Sequence, residues 1–294
     1  MRFEGSMVAV VTPMRDGRVD LGALRELVEW QIAEGTDGIV PCGTTGENVT
    51  LSAAERVEVI RAVVETVRGR VPVIAGAGSN STRECVEAVQ AVKALRVDAA
   101  LVVTPYYNRP TQEGLLRHYG AIFEATHFPM VAYNVPSRTG CDLLPATLAR
   151  LVEAGTIVGI KDATGRMDRQ LEHLEKIGRD ATCFLSGDDA TIVPYVACGG
   201  HGVISVVANV APRKTKELVN AARKGELSAA GSKQSAMAEL VRSLFIESNP
   251  GPVKAALHLM GRIGPELRLP LVQVSEATLG KVREALVHFG IRVG

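Results

Sequence analysis

Eight short apolar runs recur along the chain, and segments of helical periodicity separate them. The runs cover residues 7–11, 38–41, 71–75, 99–103, 130–133, 157–161, 182–186 and 202–206, and they read as strands. After the first run, Leu21, Leu24, Leu27, Val28 and Ile32 share one face at the 3.6-residue period, with Asp20 placed to cap that helix. Ser52-x-x-Glu55 and Ser81-x-x-Glu84 have the form of capping boxes opening the next two helices. Strand and helix alternating eight times predicts an α/β fold, the (β/α)8 TIM barrel. The rival is a doubly wound open sheet, which would carry a Gly-rich phosphate loop after its first strand. Here the first strand runs into Thr12-Pro13-Met14-Arg15-Asp16-Gly17, and Gly76-Ala77-Gly78-Ser79-Asn80 lacks the third glycine of such a loop. The second stretch reads instead as a tight strand-to-helix turn.

The alternation ends near residue 225. The remainder is helical in pattern: one long helix over 227–247, a break at Pro250-Gly251-Pro252, a helix over 253–260 and a last one over about 275–289. The expectation is a catalytic barrel over 1–225 and a C-terminal helical extension over 226–294 packed on it, with no linker composition between them. A length of 294 residues suits that plan. Net charge is +1 and the Lys and Arg residues are scattered, which gives no electrostatic case for nucleic acid or a membrane surface. The chain holds no run of about 18 apolar residues to span a membrane, and its first residues lack a secretory apolar stretch. Five cysteines, with no C-x-x-C pair, argue against a disulfide framework and a structural zinc. The six histidines form no H-x-x-x-H or related pattern, so no metal is expected. A reducing cytoplasm is the expected compartment.

In a barrel, the loops after the strands build the active-site face. Lys161 ends the sixth run, ahead of Asp162-Ala163-Thr164-Gly165. A buried strand that delivers an amine to a loop desolvates it, which disfavours the ammonium and leaves a nitrogen able to form Schiff bases. A Lys that leaves its strand for solvent fits the same pattern. Tyr133 ends the neighbouring fifth run. Parallel strands lie about 4.8 Å apart, so the two side chains converge, and a phenol there donates and accepts protons. Gly43-Thr44-Thr45-Gly46-Glu47 follows the second run. Its glycines admit a ligand close to the backbone, and its N–H groups and hydroxyls suit a small carboxylate; a plain turn reads equally well. Arg138 offers a planar fork to a carboxylate, or a surface ion pair. Tyr106 and Tyr107 stand together in a chain with only 4% aromatic residues, for proton relay or interface packing. Asp188 and Asp189 lack a His at ligand spacing, and Asp188 is expected to cap a helix.

Taken in order, the stretches 43–47, 75–80, 103–110, 133–140, 159–165, 185–189, 199–206 and 247–254 resemble the dihydrodipicolinate synthase / N-acetylneuraminate lyase family of pyruvate-dependent class I aldolases. The resemblance implies an imine of pyruvate on Lys161 with no organic cofactor. It implies that Tyr133, Thr44 and Tyr107 pass protons and that Thr45, Gly187 and Ile204 help bind substrate. Arg138 and the paired Thr44 and Thr45 look like the synthase branch, in which the arginine holds the carboxylate of L-aspartate 4-semialdehyde. The expected reaction condenses that aldehyde with pyruvate to 4-hydroxy-tetrahydrodipicolinate, the first committed step of diaminopimelate and lysine biosynthesis. Two alternatives stay open: a pyruvate-releasing lyase acting on N-acetylneuraminate or a 2-keto-3-deoxy sugar acid, which would lack Arg138, and a non-catalytic keto-acid-binding barrel, which would lack Lys161 or Tyr133.

The resemblance further implies a homotetramer of two tight dimers, with Tyr107 reaching into the neighbouring subunit's site. Lysine inhibits many such synthases at the tight-dimer interface, and Asn80, Glu84 and Tyr106 match that effector site. Ala53 and Arg56 depart from the sensitive pattern, and Arg56 would set a cation where the ligand's amine belongs. Weak or absent lysine feedback is therefore expected.

Overall fold

The computed structural model describes residues 2–294. Its eight barrel strands are β1 (Gly5–Ala9), β2 (Gly38–Val40), β3 (Ile74–Gly76), β4 (Ala99–Val103), β5 (Met130–Asn134), β6 (Gly159–Asp162), β7 (Cys183–Ser186) and β8 (Gly202–Ser205). Seven parallel pairings run in the order β2-β1-β8-β7-β6-β5-β4-β3. A parallel bridge between Ile39 and Val73 joins the two ends, so the ring is nearly closed. A two-stranded hairpin, Met14–Arg15 with Arg18–Val19, follows β1 outside the ring.

Successive strand residues face opposite sides. Met7, Ala9, Val40, Ile74, Ala99, Leu101, Val131, Tyr133, Leu185 and Ile204 therefore fill the barrel as one apolar cluster. Their neighbours Val8, Ile39, Ala100, Val102, Ala132, Ile160, Phe184 and Val203 face out and join the layer beneath the helices. That outer layer continues without a break into the C-terminal helices through Leu240, Val253, Leu257, Val282 and Leu286. No described helix is long and apolar enough to cross a membrane.

Several expected boundaries move, each for a physical reason. β1 begins at Gly5, because Gly5 and Ser6 pair with Gly202 and Val203 although neither is apolar. β3 begins only at Ile74; Pro72 ahead of it has no N–H for a ladder, and its carbonyl accepts from Ile39 at 3.0 Å. The helix expected over 227–247 stops at Ser243, and a turn closed by Gly251 N–H on the Ser248 carbonyl (2.9 Å) leads into the helix Gly251–Leu259. Asp20 caps its helix, and Ser52 with Glu55 forms a full capping box. Ser81 accepts from the Glu84 N–H, but the Glu84 carboxylate takes the Ser79 hydroxyl at 2.8 Å instead of closing a box. Gly76 has a packing reason: a Cβ there would lie 1.8 Å from the Cys42 carbonyl oxygen, so β3 could not pass the loop after β2.

Candidate active site

Tyr133 and Lys161 are register partners on the adjacent strands β5 and β6, and both face the barrel interior. Lys161 is withdrawn from solvent, and its Nζ lies 4.3 Å from the centroid of the Tyr133 ring. No carboxylate of the described residues pairs with it, whereas Lys254, which is fully buried, has one at 2.6 Å. Space for the Lys161 stem depends on Gly187, where a Cβ would come within 3.0 Å of Lys161 Cε and 2.8 Å of the Ala163 Cβ. Ile204 is buried on β8 in the same interior cluster.

Above these residues lies a cavity of about 330 Å³, lined among others by Thr44, Tyr133, Arg138, Tyr106, Val103 and Asn249. Lys161 does not line it directly; it meets the wall through the Tyr133 ring. Thr44 and Thr45 form a tight turn in which Gly46 and Glu47 donate back to the Gly43 and Thr44 carbonyls, each at 3.1 Å. Arg138 sits on the one-turn helix Pro136–Thr139, whose proline supplies a preset φ at its start, and it makes a long hydrogen bond to the Asn249 carbonyl. Three of the expected residues thus line one mouth, Thr44, Tyr133 and Arg138; Thr45 is tied to it through Asn249, and Lys161 lies behind the Tyr133 ring.

Tyr107 does not join them. It is 91% exposed, on a left-handed backbone (φ 72°). Its neighbour Tyr106 lines the mouth and also a second cavity of about 450 Å³, shared with Ala53, Arg56 and Glu84. Asn80 stands beside that second cavity and donates to the Tyr106 carbonyl at 3.2 Å.

The Dihydrodipicolinate synthetase family profile matches residues 2–289. The chain belongs to that family. A 4-hydroxy-tetrahydrodipicolinate synthase of Anaeromyxobacter dehalogenans (strain 2CP-C) is 70% identical over 292 residues, covering 99% of each chain. The crystal structure of dihydrodipicolinate synthase from Aquifex aeolicus superposes with a TM-score of 0.97 at 41% identity, over 99% of both chains. The chloride-inhibited enzyme from Acinetobacter baumannii, complexed with pyruvate, does so at 0.97 and 47% identity, over 99% of this chain and all of that one.

Within this family member, several site residues escape a reading of the sequence. Glu47 is buried, takes the Lys254 ammonium on one oxygen and the Arg268 N–H on the other at 3.1 Å. Burial pulls the Lys254 pKa down, and the Glu47 charge opposes that shift. Asn249 donates to Thr45 Oγ1 at 3.0 Å. The capping role expected of Asp188 is corrected: its side chain accepts from the Thr191 hydroxyl at 2.6 Å and caps no backbone N–H. Asp189 does the tethering, accepting from Ser205 Oγ (2.6 Å) and the N–H groups of Val206 and Val207 (2.9 and 3.1 Å). Burial raises the Asp189 pKa, and those hydrogen bonds restrain the rise. Among the described residues, no group of three or more His, Cys, Asp or Glu is arranged to hold a metal ion.

Proposed function

We propose that Lys161 carries the family reaction, the condensation of pyruvate with L-aspartate 4-semialdehyde to 4-hydroxy-tetrahydrodipicolinate. One observation bears most of the weight: a buried lysine without a carboxylate partner, 4.3 Å from the ring of a register-paired tyrosine. The Lys161 amine attacks the ketone of pyruvate, water leaves and an imine forms. The imine is an electron sink, so the pyruvate methyl group releases a proton and becomes an enamine. That carbon attacks the aldehyde. The amine of the semialdehyde then attacks the imine carbon, closes the ring and frees Lys161. The chemistry calls for no cofactor beyond the lysine.

The Thr44-Thr45 turn receives the pyruvate carboxylate, with Gly187 and Ile204 shaping the space around Lys161. Arg138 receives the carboxylate of the semialdehyde, and its place at the cavity mouth favours the synthase over a sugar-acid lyase. Tyr133 and Thr44 pass protons. Tyr107, projecting into solvent, completes the relay of a partner subunit, which makes the working form a homo-oligomer, a tetramer of two tight dimers. Residues 226–294 act as an extension that braces the active-site face. Free, mostly buried cysteines suit a reducing cytoplasm. Arg56 in the second cavity opposes a lysine effector, and unchanged rates in sub-millimolar lysine are expected.

The test couples product formation to its NADPH-dependent reductase, with Lys161→Ala as blank. A rate well above the blank is expected, and Arg138→Met should raise KM for the semialdehyde far more than KM for pyruvate. No rate, with pyruvate still trapped on Lys161 by borohydride, would move the assignment to a keto-acid lyase.

A further inference from the structure

Glu47 closes the Gly43–Glu47 turn in the left-handed region (φ 55°), which a residue with a Cβ adopts only when its surroundings fix it. Those surroundings come from both ends of the chain, Thr12 on one side and Lys254, 207 residues on, on the other. Lys254 Nζ bridges Glu47 Oε1 (2.6 Å) and the Thr12 carbonyl (3.0 Å), and Thr12 Oγ1 in turn donates to the Gly46 carbonyl at 2.7 Å. Both members of the ion pair are wholly buried. Five residues before Lys254, Asn249 donates to Thr45 Oγ1, while its own carbonyl receives Arg138. The segment from Asn249 to Lys254 therefore touches both ends of the substrate cavity. One end is the turn for the pyruvate carboxylate, and the other is the arginine for the second substrate.

We propose that Asn249 and Lys254 are positioning residues that fix the separation between the Thr44-Thr45 turn and Arg138. This rests on the substrate-binding roles proposed above for those residues. The segment spans the gap between two carboxylate sites, so its geometry sets how the enamine carbon meets the aldehyde. Neither residue exchanges a proton or a bond with substrate; each acts through the group it holds. A structural prop would change the amount of active protein and leave both KM values unchanged. Loss of a spacer lets the two binding elements shift relative to each other and to Lys161, which stays in place on β6.

Asn249→Ala is the first test, with Lys161→Ala as blank and Arg138→Met as reference. The substitution removes the bond to Thr45 and keeps the main-chain carbonyl that receives Arg138. KM for pyruvate should rise roughly tenfold, within the hundredfold that about 1 Å of misplacement can cost. KM for the semialdehyde should rise with it as the freed segment shifts that carbonyl. The change in kcat should be smaller, and borohydride should still trap pyruvate on Lys161. Loss of kcat in proportion to folded protein, with both KM values unchanged, would overturn the proposal. A cycle with Thr45→Val gives a second readout: non-additive effects on KM for pyruvate are expected, and additive effects would overturn the link. Lys254→Met alone leaves a buried charge on Glu47 and risks unfolding, so the Lys254→Met/Glu47→Gln pair is measured instead. Folded protein with a raised KM for pyruvate supports the role of Lys254, and an unchanged KM removes it. If Arg138→Met raises KM for the semialdehyde while Asn249→Ala does not, only the spacer fails. If Arg138→Met leaves that KM unchanged, the role of Arg138 fails and the spacer with it.

Discussion

Lys254 and Lys161 are both withdrawn from water, at 0% and 6% exposure, yet only Lys254 has a carboxylate against it among the described residues. Lys254 sits where the C-terminal helix Gly251–Leu259 meets the loop after β2, and its ammonium donates to Glu47 and to the Thr12 carbonyl. Lys161 sits at the end of β6 with a tyrosine face beside its nitrogen and a glycine opposite its stem. A buried lysine tied to a carboxylate is an anchor. The one without such a partner, beside a phenol, is the proposed nucleophile. Burial by itself therefore says little about the role of a lysine, and the partner decides.

The sharpest way to break this comparison is to remove the anchor. Lys254→Met should destabilise the protein by about 3–5 kcal/mol in chemical denaturation, because Glu47 is left buried and unpaired. Adding Glu47→Gln should recover much of that loss. An effect within the error of the experiment would mean the pair contributes nothing.

Next in size is a change on the reagent side. Gly187→Ala places a methyl group 3.0 Å from Lys161 Cε, so the lysine stem must shift. The expected cost is about 1–3 kcal/mol of stability from overpacking, with a fall in kcat of roughly tenfold or more from displacing the nitrogen. Wild-type kcat in this variant would contradict the tight seat described for Lys161.

The most gradual effect, spread over a pH window, extends the same rule to histidine. His118 and His173 are buried without an ion-pair partner, and burial pulls both down to about 4 from an ordinary 6.5. Between those values the unfolded chain binds more protons than the folded one. Stability is therefore full above about pH 6.5 and falls as the pH drops toward 4, by up to about 1.4 kcal/mol per pH unit for each histidine. His173→Leu should flatten the slope measured by denaturation across that window; an unchanged slope would show that His173 is not among its causes.

Much of the barrel is legible in the sequence because strands buried on both faces leave short unbroken apolar runs. The run at 99–103 matches β4 residue for residue. The pairing of Tyr133 with Lys161 is legible too, since each ends its run and parallel neighbours place strand ends side by side. What stays hidden is whatever depends on closure of the ring. Glu47 and Lys254 lie 207 residues apart, and neither carries a local pattern that names the other. Asn249 reads as a residue in a proline-rich break, and only the folded chain sets it between Thr45 and Arg138. Asp188 and Asp189 are the same residue type side by side, and only the folded chain shows that Asp189 reaches the loop after β8 while Asp188 caps no backbone N–H. Tyr107, expected at the site from the resemblance, projects away from the other site residues of its own chain, and no local pattern in the sequence foretells that exposure.

The most direct test of the distinction between the two lysines is borohydride reduction in the presence of pyruvate, followed by peptide mapping. The account predicts one adduct, on the peptide carrying Lys161, absent from Lys161→Ala although that protein remains folded. An adduct on Lys254 or elsewhere, or one that persists in Lys161→Ala, would contradict it.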